Sequence, residues 1–149
     1  MTDEVISAFK RSFFDTQMVS TRLVLALSEF TWAVLLLWPG DTFGRPTYTG
    51  MAAIMTESHW GAVFLATAVM QLAIITRGNF HSREARYFAA FNAALWLFVV
   101  GSMLASVYPP PAAISAEIVL SIAAFWIWFR PFLERNIILK ARANVRHPL

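Results

Sequence analysis

The sequence predicts an all-α membrane protein with four transmembrane helices, both termini on the cytoplasmic side, and a short amphipathic interfacial helix at each end. Three observations predict it. Four apolar stretches, residues 19–38, 60–76, 87–107 and 112–129, fill more than half of the 149 residues. A helix rises ~1.5 Å per residue and a bilayer's hydrocarbon core is ~30 Å thick, so each stretch is long enough, or nearly so, to cross as a helix. The composition is 58% hydrophobic and 14% charged with a mean hydropathy of +0.56, whereas charged residues make up ~25% of a soluble domain. The third observation is that eleven of the twelve Lys and Arg fall on one side of the four-span scheme.

Orientation follows from those bases. Lys10, Arg11 and Arg22 precede or open the first span; Arg77, Arg83 and Arg86 lie between spans two and three; Arg130, Arg135, Lys140, Arg142 and Arg146 follow span four. Only Arg45 falls in the connection between spans one and two. The positive-inside rule then places segments 1–18, 77–86 and 130–149 in the cytoplasm, with Arg22, Arg77, Arg83, Arg86, Arg130 and Arg135 as anchors at that face, where anionic lipid headgroups are the expected partners. An odd number of spans would put the basic ends on opposite sides. The net charge of +3 is spread along three membrane-flanking segments without a nucleic-acid motif, so nucleic acid is not an expected partner.

Along the chain, Val5, Ile6, Phe9 and Phe13 recur at helical spacing and predict a surface helix before span one. That segment carries acids and bases throughout and lacks a small-residue cleavage pattern, so span one is expected to remain. Residues 39–59 hold Gly40, Gly44, Pro46 and Gly50 and read as an outer loop whose later part, residues 51–55, dips into the interface. Pro109, Pro110 and Pro111 make a stiff link between spans three and four. After Pro131, Phe132, Leu133 and Ile137 form one apolar face of a second surface helix. Trp38, Trp60 and Tyr108 at the outer ends, with Tyr87, Trp126 and Trp128 toward the inner ends, read as interfacial anchors. The whole chain, 1–149, is read as one membrane domain, because no polar segment is long enough to bury a core of its own.

Polar groups inside the spans are the functional leads. Glu29 lies near the middle of span one, where an unpaired charge is costly. It stands seven residues from Arg22; Gln71 is six from Arg77 and Asn92 six from Arg86. At ~1.5 Å per residue all three lie ~9 to 10 Å from the inner basic ring, which predicts one hydrogen-bonded cluster of Glu29, Gln71 and Asn92. Glu117 is thirteen residues before Arg130, hence in a more outer layer, in the second turn of span four. It reads as a carboxyl settled by a helix N-terminus, with a two-station proton or cation path through Glu29 as the sharper alternative. Ala62 and Ala66, Ala89 and Ala93, and Gly101 and Ala105 are pairs spaced by four, which lets helix backbones approach inside the bundle or, alternatively, at a self-association face.

Catalytic constellations are missing. No cysteine is present, which excludes disulfides and thiol chemistry. His59 falls outside and His81 and His147 inside, so no metal site is expected from them, and no cofactor motif is seen. The expectation is a non-enzyme.

Two resemblances bear on function. A membrane-buried glutamate, Glu29, on the first of four short spans is similar to the small multidrug-resistance exporters, whose first-span glutamate exchanges protons for cations. This chain is longer, and their aromatic and glycine pattern on span three is not visible around Trp96 and Gly101. The stretches LLLWPGDTFGRPTY (residues 35–48) and SVYPPPAAISAE (residues 106–117) resemble small polytopic membrane proteins of tailed bacteriophages. The basic segment from Arg130 to Arg146 is similar to a holin's C-terminus. That resemblance implies a bacterial inner membrane and an oligomeric, lesion-forming protein. The expectation is therefore a non-enzymatic protein that assembles with itself or a membrane partner. The alternatives are a proton- or cation-coupled transporter using Glu29 and an accessory subunit of a larger membrane complex.

Overall fold

The computed structural model describes the backbone of residues 3–80, 82–108, 112 and 114–146, and the side chains of residues 15–80, 82–108, 112 and 114–133. The described residues are all-helical, without strands, and four helices are long and apolar enough to cross a membrane: Asp15–Leu37, Glu57–Arg77, Arg83–Ser106 and Ile114–Leu133. Helix α1 spans Asp3–Leu37, free of Gly and Pro throughout and stopped by Pro39-Gly40. A 3-10 turn, Pro46–Tyr48, leads into the single turn α2, Thr49–Ala52. Helix α3, Glu57–Arg77, ends on Gly78 in the left-handed region (φ 62°), a conformation that glycine adopts without a Cβ penalty. Helix α4, Arg83–Ser106, is opened by the Ser82 hydroxyl accepting from Ala85 N at 3.0 Å and closes on an extended Val107. Helix α5 spans Ile114–Arg146.

The terminal segments differ from expectation. Both are continuous with their spans: α1 has 35 residues and α5 has 33, running through Pro131 without a break. At ~1.5 Å per residue each is ~50 Å long, so each outruns a ~30 Å apolar core at the end that carries the termini. No stop signal separates Phe13 from Met18, and Pro131 forgoes one backbone donor while its turn stays helical. The apolar faces proposed for residues 5–13 and after 133, like Arg135, His81, His147 and the link 109–111, lie outside the described side chains.

The four helices alternate in direction, giving the bundle a basic end and a lid end. Helix α1 packs closest on α3, α4 on α5, and α1 also meets α5. Gly61 permits the first contact: a Cβ there would lie 2.7 Å from Leu37 Cγ and 3.3 Å from Leu36 Cβ. Helices α3 and α4 meet through large rings, Trp60 stacking on Phe98 at 5.5 Å and Phe64 meeting Trp96 at a tilt, 5.6 Å between centroids. Helices α1 and α4 run parallel in register, since Arg22 reaches Ala85 and Glu29 reaches Asn92, each 63 positions on.

Residues 38–56 fold back over the lid end. Met51 is fully buried, and its carbonyl accepts from Trp60 Nε1 at 3.0 Å. Gly50 N donates to Ser106 Oγ at 3.2 Å, and the Glu57 carboxyl accepts from Thr42 N and Phe43 N. This segment thus caps the bundle through Met51, while Ala52, Ala53 and Ile54, in the stretch expected to dip into the interface, are exposed. Trp60, expected as an interfacial anchor, is 4% exposed and part of the core, because the cap supplies its indole with an acceptor. Trp38, Tyr87, Tyr108 and Trp126 are exposed at the surface. Of the small-residue pairs, Ala89 and Ala93 are buried in the bundle, whereas Ala62, Ala66, Gly101 and Ala105 are exposed. Their phase explains it: the inward faces of α3 and α4 are set by Phe64, Ala68 and Gln71 and by Asn92, Trp96 and Val99.

Candidate polar site in the bundle core

Each of three helices brings a polar pair to the same inward face. On α1, Arg22 and Glu29 are seven apart, nearly two full turns, and therefore share an azimuth. On α3, Thr67 and Gln71, and on α4, Asn92 and Trp96, are each four apart. Exposure is 1% at Arg22, 0% at Glu29, 3% at Thr67, 1% at Gln71 and 0% at Asn92 and Trp96.

Charge dictates how the amides turn. A guanidinium can only donate, and Arg22 Nη1 donates to Gln71 Oε1 at 2.8 Å while Nη2 donates to the Ala85 carbonyl at 3.3 Å. An ionised carboxylate can only accept, and Asn92 Nδ2 donates to Glu29 Oε1. Gln71 therefore stands between the two charges with its oxygen toward Arg22 and its NH2 free for the anion. Thr67, Gln71 and Trp96 also face the Glu29 carboxyl group. The Thr67 hydroxyl is already spent on the Phe64 carbonyl at 2.8 Å. What surrounds the carboxyl is a ring of N–H groups, a setting that suits an anion, with Arg22 as the opposite charge on the same helix face. In an apolar bundle either charge alone would carry a desolvation cost of several kcal/mol.

Of the predicted cluster, the structure joins Glu29 directly to Asn92 and joins Gln71 to Arg22. Sequence reasoning missed Arg22, Thr67 and Trp96. Arg22 was expected as a cytoplasmic anchor, and the structure corrects this: its guanidinium is buried among α1, α3 and α4 because Glu29 and Gln71 lie on its own face. The seven-residue spacing to Glu29 was the available signal. Arg130 is likewise buried, at 4% exposure. Arg77 and Arg83 are exposed, Arg83 Nε donating to Tyr87 Oη at 3.1 Å and sitting over its ring, and Arg86 is half-buried.

Above the polar layer toward the lid lies an aromatic one. Trp32 meets Phe64 at 5.4 Å, Trp96 at 6.3 Å and Tyr48 at 5.9 Å. Glu117 is 7% exposed and sits at the lid end, in the first turn of α5, one turn earlier than expected because the helix starts at Ile114. Burial pushes the Tyr48 phenol above its ordinary range, the Glu117 charge adds to the rise, and Arg45 opposes it. Among the described residues no three His, Asp or Glu side chains converge.

No family model matches the chain, and neither the curated proteins nor the solved structures give a match.

Proposed function

We propose that this chain is a non-enzymatic, multi-pass protein of a bacterial inner membrane, with both termini cytoplasmic, that acts by assembling with itself or with a membrane partner. One observation carries the reading. Two intramembrane charges, Arg22 and Glu29, are met inside a single chain by Gln71 and Asn92, while the outer surface offers apolar side chains and the outward pairs Ala62 and Ala66, Gly101 and Ala105. Small outward residues let a second helix approach closely, the geometry by which membrane helices associate. A holin-like, lesion-forming oligomer is one form of this function, and an accessory subunit of a larger complex is the other.

The test is the mass of the protein in native lipid particles, with co-purifying proteins identified. A defined homo-oligomer or a fixed stoichiometry with one partner is the expected result. A lone monomer without a partner overturns the proposal. Loss of membrane integrity on induction selects the lesion form, and harmless prolonged expression excludes it.

A second reading, proton- or cation-coupled transport, is favoured by the Glu29 Oε2 atom, which is buried without a hydrogen-bond partner. Replacing Glu29 by Gln separates the two: a coupled carrier loses coupling, and coupling retained in that variant excludes a transport role for this carboxyl.

A further inference from the structure

We propose that the polar half of the core binds one water molecule, seated at Glu29 Oε2 and shared with Asn92 Oδ1, Gln71 Nε2 and Trp96 Nε1. Each of those four atoms is buried and lacks a hydrogen-bond partner within the protein, as does Arg22 Nε on the basic side of Gln71. They belong to side chains that face one another: Gln71, Asn92 and Trp96 all surround the Glu29 carboxyl group. Their chemistry is complementary. Glu29 Oε2 and Asn92 Oδ1 are acceptors, whereas Gln71 Nε2, Trp96 Nε1 and Arg22 Nε are donors.

The bonds already made leave both donors and acceptors over. Asn92 turns its oxygen away from Glu29 because its nitrogen serves that carboxylate, and Gln71 turns its oxygen to Arg22. Asn92 Oδ1 is therefore left without a donor within the protein. A water resolves this, since its two hydrogens satisfy Asn92 Oδ1 and Glu29 Oε2 and its oxygen accepts from two of the donors. Buried waters characteristically make two to four such bonds to otherwise unpaired groups. The consequence is a hydrogen-bonded latch that ties α1, α3 and α4 across the bundle interior.

Trp60 supplies an internal control, because its buried indole already donates to the Met51 carbonyl. The experiment is solid-state NMR of the full chain in lipid bilayers with 15N-labelled tryptophan, reading magnetisation transfer from water to each indole. Trp96→Phe and Trp60→Phe assign the two signals. Transfer at Trp96 above the Trp60 level is expected, although both rings are buried. Equal and absent transfer at both indoles overturns the proposal. In Asn92→Leu the Trp96 transfer should be lost, and its retention overturns the shared site. Should Asn92→Leu not fold, the wild-type comparison of the two indoles decides alone.

Discussion

Replacing Arg22 by Met removes a guanidinium that donates to Gln71 Oε1 at 2.8 Å and to the Ala85 carbonyl at 3.3 Å. Two magnitudes compete for the outcome. Hydrogen bonds between membrane helices are worth about 0.6 kcal/mol on average, so a residue acting only as a donor to these two acceptors would contribute on the order of 1 kcal/mol. A residue acting as the counter-charge of Glu29 contributes more. The two positions are separated by ~10 Å of helix rise, and unit charges at that distance interact by ~1.6 kcal/mol at an effective dielectric of ~20. Removing one member also strands the other in an apolar interior, which costs roughly 3–5 kcal/mol. Arg22→Met is therefore expected to destabilise the bundle by about 3 kcal/mol. The variant combining Arg22→Met with Glu29→Leu removes both charges and should fall short of the summed single effects by about 2 kcal/mol. The assay is the four-member double-mutant cycle measured by steric trapping in bicelles. A coupling within about 0.5 kcal/mol of zero, the level of independent sites, would refute the counter-charge role of Arg22.

Three further outcomes follow from the packing. Gly61→Leu places atoms against Leu36 and Leu37 and should destabilise by roughly 1–3 kcal/mol, with Gly61→Ala costing less because half-exposed Leu37 can swing aside; a neutral Gly61→Leu would contradict the close approach of α1 and α3. A Cβ on Gly50 would lie 3.0 Å from Ser102 Cβ, so the pair Gly50→Cys and Ser102→Cys, in a chain that has no other cysteine, should form one disulfide under mild oxidation, read as a mobility shift reversed by reductant. Failure to cross-link would place the cap elsewhere. Spectroscopic titration should show Tyr48 ionising above the ordinary tyrosine range. Its folded pKa is raised above the unfolded value of ~10, so its contribution to stability is complete below that pH and is lost as the pH rises through the folded pKa. Ionisation of Tyr48 at the ordinary phenol value of ~10 would refute its burial beside Glu117.

Which helices are long and apolar enough to cross a membrane was legible in the sequence, because hydropathy and length are local properties summed along one segment. The spans expected at 60–76 and 87–107 match the helices Glu57–Arg77 and Arg83–Ser106 to within a turn at each end. The depth of Glu29, Gln71 and Asn92 was also countable, since rise per residue is constant along a helix. Azimuth could be read within one helix but not between helices. For that reason Arg22, which counts as one more basic marker in a tally of flanking charges, was assigned to the surface.

What the sequence by itself determined is therefore the number of helices long and apolar enough to cross a membrane and the level of Glu29, Gln71 and Asn92 along them. Only the tertiary structure decided which groups meet. It set α1 and α4 parallel in register so that Arg22 reaches Ala85 and Glu29 reaches Asn92, and it turned Ala62 and Gly101 outward. It also folded the 38–56 segment over Trp60, converting an expected interfacial ring into core. The physical reason is that burial of a side chain depends on the rotation of its helix about its own axis. That rotation is fixed by neighbours distant in sequence, the rings of Trp32, Phe64 and Trp96 and the amides of Gln71 and Asn92, and no periodicity within a uniformly apolar span records it.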